Sequence, residues 1–275
     1  MKIFRVVGYF LHLRRFFGVW GATRFMVSYG SNLLQKKPLY RVPVGKYVFY
    51  YPSALYFSSL FMEIFLHESY YLPQTDAPIS VIDGGAHIGV ALLYIKMRAP
   101  HARVLCFEPN PASRAVLEKN VEANGWQHEV RVLPYALGAR EGVAPLFVDK
   151  DTQTSTSASL VQDFKPKLHA HASHQVEIKK LSSFITAPVD FLKLDIEGNE
   201  REVLEDLITS GRLDSVATLE LEYHYNPSLT TPPPSHMLHT LEVHGFKTFI
   251  TPAGMSLQYM FGNSASHGYM ISAWR

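Results

Sequence analysis

The sequence predicts an α/β protein: a doubly wound, mostly parallel seven-stranded sheet with an antiparallel last strand, preceded by an N-terminal accessory region of helix and strand. Three observations predict it. From Ile79 onward, short apolar runs alternate with amphipathic segments of helical period, as in a parallel sheet covered on both faces. The first of these runs turns into its helix through a glycine-rich loop, Asp83-Gly84-Gly85-Ala86-His87-Ile88-Gly89. The last two runs are joined by a loop with no helical segment, so they can pair antiparallel.

Residues 1–76 read as the accessory region. Ile3, Val6, Phe10, Leu13, Phe17 and Trp20 recur at helical spacing and predict an amphipathic helix. A strand pair follows at Tyr40–Val44 and Tyr47–Tyr51, then a helix around Ala54–His67. The net charge of +2 conceals an asymmetry: nine Lys or Arg and no Asp or Glu precede Glu63, leaving 17 basic against 24 acidic residues in the remainder. Such an arm suits an anionic surface, such as a lipid leaflet, or packing against its own acidic body. The apolar run Val6–Leu13 is too short to span a bilayer and is closed by Arg14 and Arg15. With no cleavage pattern after it, the expectation is a cytoplasmic protein, peripheral to membrane if the arm binds lipid.

Residues 77–275 read as the α/β domain. Strands are predicted at Ile79–Asp83, Arg103–Glu108, Val130–Pro134, Asp190–Asp195, Val216–Glu222, Phe246–Thr251 and Tyr269–Trp274. Helices are predicted at His87–Arg98, Pro111–Asn124, Glu200–Thr209 and Ser235–His244. The polar stretch 149–175 reads as a lid loop. Its His169, His171 and His174 have ligand-like spacing, though a solvated lid accounts for them more simply. Hydrophobic residues at 47% and charged residues at 18% exclude a disordered chain. The single cysteine, Cys106, lies in an apolar run and reads as a core residue of a protein kept in a reducing compartment.

The glycine loop carries the strongest chemical signal. Gly84, Gly85 and Gly89 allow a tight turn and a close ligand approach at a helix start, with Ala86 where a dinucleotide site places its middle glycine. Asp83 sets a carboxylate beside the loop, which should repel a pyrophosphate and suit S-adenosylmethionine, a nucleoside with an ammonium and a sulfonium. Glu108, ending the second strand, can accept both ribose hydroxyls. Asn110 is assigned to the same cofactor site, and Ala136 and Leu137 can lie against an adenine ring.

Two further clusters end strands of the same sheet, where α/β proteins bind ligands. In Asp190-Phe191-Leu192-Lys193-Leu194-Asp195, alternation puts Lys193 and Asp195 on one face, and a lysine in an apolar strand needs a partner or a function. Asp195 is assigned to both the cofactor and the catalytic set. In Glu220-Leu221-Glu222-Tyr223-His224, the two acids and the histidine share a face. Asp195, Glu222 and His224 together are candidates for binding a divalent cation. Alternatively, His224 is a general base oriented by Glu222, with Lys193 steadying a developing alkoxide. The acids at Glu197 and Glu200 read as a helix start.

Taken together, Val81–Gly89, Glu108, Ala136-Leu137-Gly138 and Phe191–Gly198 resemble the FkbM family of methyltransferases, over about Ile79 to His224. The resemblance implies a Rossmann-like class I methyltransferase fold and S-adenosylmethionine as methyl donor. It further implies O-methylation of a hydroxyl on a small molecule or glycan: a sugar, polysaccharide or polyketide-like acceptor. His87 departs from the family, where Asn is more usual, and so does the basic arm. The rival readings are an NAD-dependent oxidoreductase or epimerase and a non-catalytic methyltransferase-fold module. Nucleic acid is disfavoured as partner, because the aromatic residues of the arm have core-like spacing. A homo-oligomer is compatible with the sequence.

Overall fold

Residues 2–149, 158–161, 170–225, 231–253 and 267–275 are described by a computed structural model of the chain. The N-terminal region comprises α1 (Lys2–Leu33), the antiparallel hairpin β1 (Tyr40–Val44) and β2 (Tyr47–Tyr51), and α2 (Ala54–Phe61), which runs into a π-helical turn, Met62–Leu66. Then follow β3 (Ser80–Gly84), α3 (Val90–Arg98), β4 (Arg103–Phe107), α4 (Pro111–Ala123), β5 (Val130–Leu133) and β6 (Ala136–Leu137). The rest is β7 (Gly142–Asp149), β8 (Ala170–Lys179), β9 (Val189–Leu194), α5 (Glu200–Thr209), β10 (Val216–Tyr225), α6 (Pro234–Val243), β11 (Lys247–Pro252) and β12 (His267–Trp274).

Seven strands form the main sheet in the order β11-β12-β10-β9-β3-β4-β5. All its pairings are parallel except those of β12, which runs antiparallel to β10 and β11, as the sequence predicts. From β3 the chain proceeds outward to β4 and β5, then returns to β9 on the other side. The carboxyl ends of β3 and β9 therefore flank the point where strand order reverses, the crevice in which doubly wound sheets bind ligands.

The two faces bury separate cores. One holds α5 and α6 through Val203, Leu204, Leu207, Met237 and Leu241. The other holds α3 and α4 and is continuous with the N-terminal region through Leu13, Phe25, Phe49, Phe57 and Phe65. Every residue from Val90 to Lys96 of α3 is buried, because the sheet covers one side and the N-terminal region the other. Lys96 is tolerated there because its Nζ donates to the Pro100 and Ala102 carbonyls and to Glu129.

The N-terminal hairpin is held by side chains that imitate a strand edge. Asn120 on α4 and Asn124, its C-cap one turn later, each accept from and donate to the backbone of β2, at Tyr50 and Val48 respectively. Asn120 also donates to the Ile88 carbonyl, tying the hairpin to the glycine loop.

Three expectations are corrected. The expected lid, 149–175, is entered from both sides by strands: β7 and β8 pair antiparallel and, with β6, make a second sheet of three strands. His171 and His174 lie on β8, while His169 falls outside the described residues. The helix expected from His87 begins at Val90, because His87 (φ 49°) and Gly89 (φ 91°) are left-handed. The apolar stripe expected to continue to Trp20 is interrupted by Gly18 (φ 68°), which kinks α1 and leaves Trp20 facing solvent.

Candidate functional site

The site is built outward from the end of β3. Gly85 has φ 82°, and a Cβ there would run into the backbone carbonyl of Asp195, so the chain passes only with glycine. At Gly89 (φ 91°) a Cβ would stand 2.7 Å from Leu117 Cδ1. The loop commits its own donors: Gly85 N and Ala86 N both donate to the Phe107 carbonyl, His87 N to Glu108, and Gly89 N to the Ala86 carbonyl. A phosphate cradle needs such N–H groups turned outward. Here four of them are spent on protein acceptors.

Glu108 lies just past β4 and is buried. Its two oxygens accept from His87 N and Asn110 N, each at 2.8 Å. Burial pushes its carboxyl up to about 7, against the pull of these two hydrogen bonds. Around it, Phe107, Tyr135, Ala136, Leu137, Ala158 and Leu160 line a largely apolar slot. The segment carrying Ala158 and Leu160 is fastened by Ser159, whose hydroxyl donates to the Glu197 carbonyl at 2.6 Å. Asn110 is absent from the lining: it is buried as the N-cap of α4, its side chain accepting from Ala112 N.

Lys193, expected to steady a developing alkoxide, lines the crevice and is tied to the glycine loop. Its Nζ lies 3.0 Å from Asp83 Oδ1, donates to the Gly85 carbonyl at 3.0 Å, and stands 3.8 Å from Asp195. Burial alone would lower its pKa, but Asp83 and then Asp195 raise it above 10.5. Lys193 is thus the pin that holds the loop. Its charge is matched by Asp83, which consequently presents no bare carboxylate to a ligand.

Beyond the loop the crevice turns acidic, with Glu63, Tyr70, Lys193, Asp195, Glu197 and Glu222 among its walls. The Tyr70 hydroxyl lies 2.9 Å from Asp195 Oδ2 and 3.1 Å from Glu222 Oε2. Burial, then the neighbouring Asp195, push Glu222 up to about 8, and the same two causes push Glu63 up to about 7. A phenol has one proton to give. A protonated Glu222 donating to Tyr70, which donates to Asp195, satisfies all three groups.

His224 is buried with Nδ1 3.0 Å from Glu200 and Nε2 3.3 Å from Glu197 and 3.5 Å from Glu222. Burial would lower its pKa, yet Glu197 and Glu200 carry it well above 6.5. These carboxylates favour its charged form, the opposite of what the expected role as base asks. Glu200 also accepts from Ile196 N and Gly198 N, closing the turn after β9.

Among the described residues, Asp195, Glu197 and His224 bring ligand atoms within 4.8 Å of one another, with Glu197 in place of the expected Glu222. Glu63 and Tyr70, which the sequence reading missed, come from the N-terminal region. Glu63 carried one visible signal, as the first acid of the chain, set in an apolar helical run.

The model of the Methyltransferase FkbM domain matches residues 83–248. Methyltransferase sdnD of Sordaria araneosa is 29% identical over 175 residues, which are 53% of this chain and 67% of that protein. Methyltransferase 1 of Beauveria bassiana (strain ARSEF 2860) is 26% identical over 162 residues, 53% of this chain and 65% of its own length. The chain thus spans about two thirds of each of these relatives. Among solved structures, methyltransferase FkbM from Methylobacillus flagellatus KT has a TM-score of 0.46 at 13% identity, covering 98% of this chain and 60% of that one. M. jannaschii TYW2 in complex with AdoMet has a TM-score of 0.48 at 10% identity, covering 87% and 86%.

Proposed function

This chain belongs to the FkbM methyltransferase family, and we propose that it transfers a methyl group from S-adenosylmethionine to a hydroxyl oxygen of a small-molecule or glycan acceptor. One observation carries the reading. Two adjoining pockets that share Gly85, His87, Asp195 and Glu197 offer a nucleoside end beside Glu108 and a carboxylate end at Glu63, Asp195 and Glu222.

The fit to the donor rests on two features. The loop's committed N–H groups leave no cradle for a pyrophosphate, which speaks against the nicotinamide reading. The carboxylates beyond the loop suit an ammonium and a sulfonium. When bound, S-adenosylmethionine supplies an electrophilic methyl group on a positively charged sulfur. Glu108 would accept the ribose hydroxyls, and Tyr135, Ala136 and Leu137 would cover the base. Holding acceptor oxygen and methyl in line contributes roughly 7–11 kcal/mol to lowering the barrier. The acceptor hydroxyl must lose its proton, and Glu222 would take it in the ionised form, once it has given up the proton it shares with Tyr70. A carboxyl raised to about 8 is a far stronger base than an ordinary one. Lys193 and His224 hold this constellation rather than touching the acceptor, and no divalent cation is assigned a part.

Calorimetric titration with S-adenosylhomocysteine and with NAD tests the donor, and only the first is expected to bind. Transfer of a labelled methyl group to a panel of hydroxylated glycans and polyketides, with the product's O-methyl resonance read by NMR, tests the acceptor class. S-adenosylhomocysteine binding with no transfer to any hydroxyl would favour the non-catalytic module.

A further inference from the structure

We infer that the outer face of α1 docks onto an anionic lipid surface. Its inner face is already covered: Leu13, Ala22, Phe25 and Asn32 are buried against β1, β2, α2 and the π-helical turn. Outward, Trp20 (83% exposed), Val27 (69%) and Leu34 (88%) stand seven residues apart. Trp20 and Val27 are two turns apart on one side of α1, and Leu34 stands in the turn that follows it. Leu11 and Val19 are also exposed.

The charge around this stripe has one sign. Arg14, Arg15, Arg24, Lys36 and Lys37 are exposed, and no acid occurs before Glu63. None of the ion pairs among the described residues involves these five cations. The arm therefore binds its own body through apolar packing and leaves its charge unspent. Exposed apolar side chains, a tryptophan and unpaired arginines on the two arms of α1 and the turn after it fit acidic headgroups over a hydrocarbon margin. No helix among the described residues is long and apolar enough to cross a membrane, so the contact lies on the surface.

Vesicle flotation of the full chain tests this independently of any methyl transfer, with thermal melting as the control for folding. The wild type is expected to float with phosphatidylcholine vesicles containing phosphatidylserine, to be released by high salt, and not to float with phosphatidylcholine alone. Reversing three charges (Arg14→Glu, Arg15→Glu, Arg24→Glu) is expected to weaken partition on the order of 100-fold or more. Removing the stripe (Trp20→Ser, Val27→Ser, Leu34→Ser) is expected to weaken it at least about tenfold. Absence of wild-type flotation, or equal flotation of a well-folded variant, overturns the inference. So does a dimer in sedimentation equilibrium that the stripe variant abolishes while vesicles bind neither protein, because the occupant is then a second copy of the chain.

Discussion

Asp83 on β3 and Lys193 on β9 are register partners whose charged atoms meet at 3.0 Å, both closed to solvent. The pair joins the two strands that flank the crevice, and the Lys193 ammonium also gathers the carbonyls of Gly84 and Gly85. Lys193→Met alone leaves a buried carboxylate uncompensated and is expected to cost about 3–5 kcal/mol of stability. Adding Asp83→Leu removes the orphaned charge and should recover most of that loss, although the two carbonyls stay unpaired. Urea denaturation of the three proteins reads the difference. A folded lysine pKa above the ordinary value means this stabilisation is fully present at neutral pH and fades only as pH climbs through that raised value.

His224 stands among Glu197, Glu200 and Glu222 as their shared cation. Its removal leaves Glu197 and Glu200 with no counter-charge beside Glu222, so His224→Ala is expected to lower stability by about 3–5 kcal/mol. Because the folded imidazolium is favoured, the stability it confers is complete below the ordinary value of 6.5 and is lost as pH rises through the folded value. Denaturation midpoints at several pH values check both statements. A variant as stable as wild type, with only turnover reduced, would restore the reading of His224 as base.

The five parallel strands of the main sheet could be read from sequence because strands buried on both faces carry apolar runs, as in Val81-Ile82 and Phe191-Leu192. The β7–β8 pair escaped that test. It buries one face through Leu146, Val148 and Val176, and β8 is otherwise polar, so it resembles a loop. Glu108 was legible because a strand end locates it relative to the glycine loop. Tyr70 was not, since its partners Asp195 and Glu222 lie 125 and 152 residues away and nothing local marks it. The alternation of Glu220, Glu222 and His224 was visible. What it could not reveal is that Glu197 and Glu200 rise from the adjoining turn to fix the histidine's charge.

Glu222 makes the pH dependence of activity a direct test. With its carboxyl at about 8, the basic form grows in as pH rises, so the rate at saturating substrate is expected to increase through that region and then level. The inflection belongs to the coupled set of Glu222, Glu63 and Asp195 rather than to one group. Glu222→Gln should lower kcat by roughly 10²–10⁴-fold and abolish the rise. Stability runs the opposite way: the folded protein holds this proton more tightly than the unfolded chain does. Wild-type stability therefore falls between the ordinary 4.5 and about 8, and the variant's should fall less.

Glu108 links donor binding to pH. Both its oxygens already accept backbone N–H groups, and a ribose diol asks each for a further lone pair, which only the ionised carboxylate supplies at both positions. Since burial raises this group to about 7, binding below that value must first expel a proton. The affinity for S-adenosylhomocysteine is expected to be flat above pH 8 and to fall on the order of tenfold per unit well below 7, with a proton released per ligand bound. Glu108→Gln offers one acceptor and no titrating group. It should bind more weakly, by about 1.5–3 kcal/mol, with the slope removed. Calorimetry in buffers of different ionisation enthalpy measures affinity and proton release together. A wild-type affinity unchanged between pH 5 and 8 would mean that the ribose hydroxyls are held elsewhere.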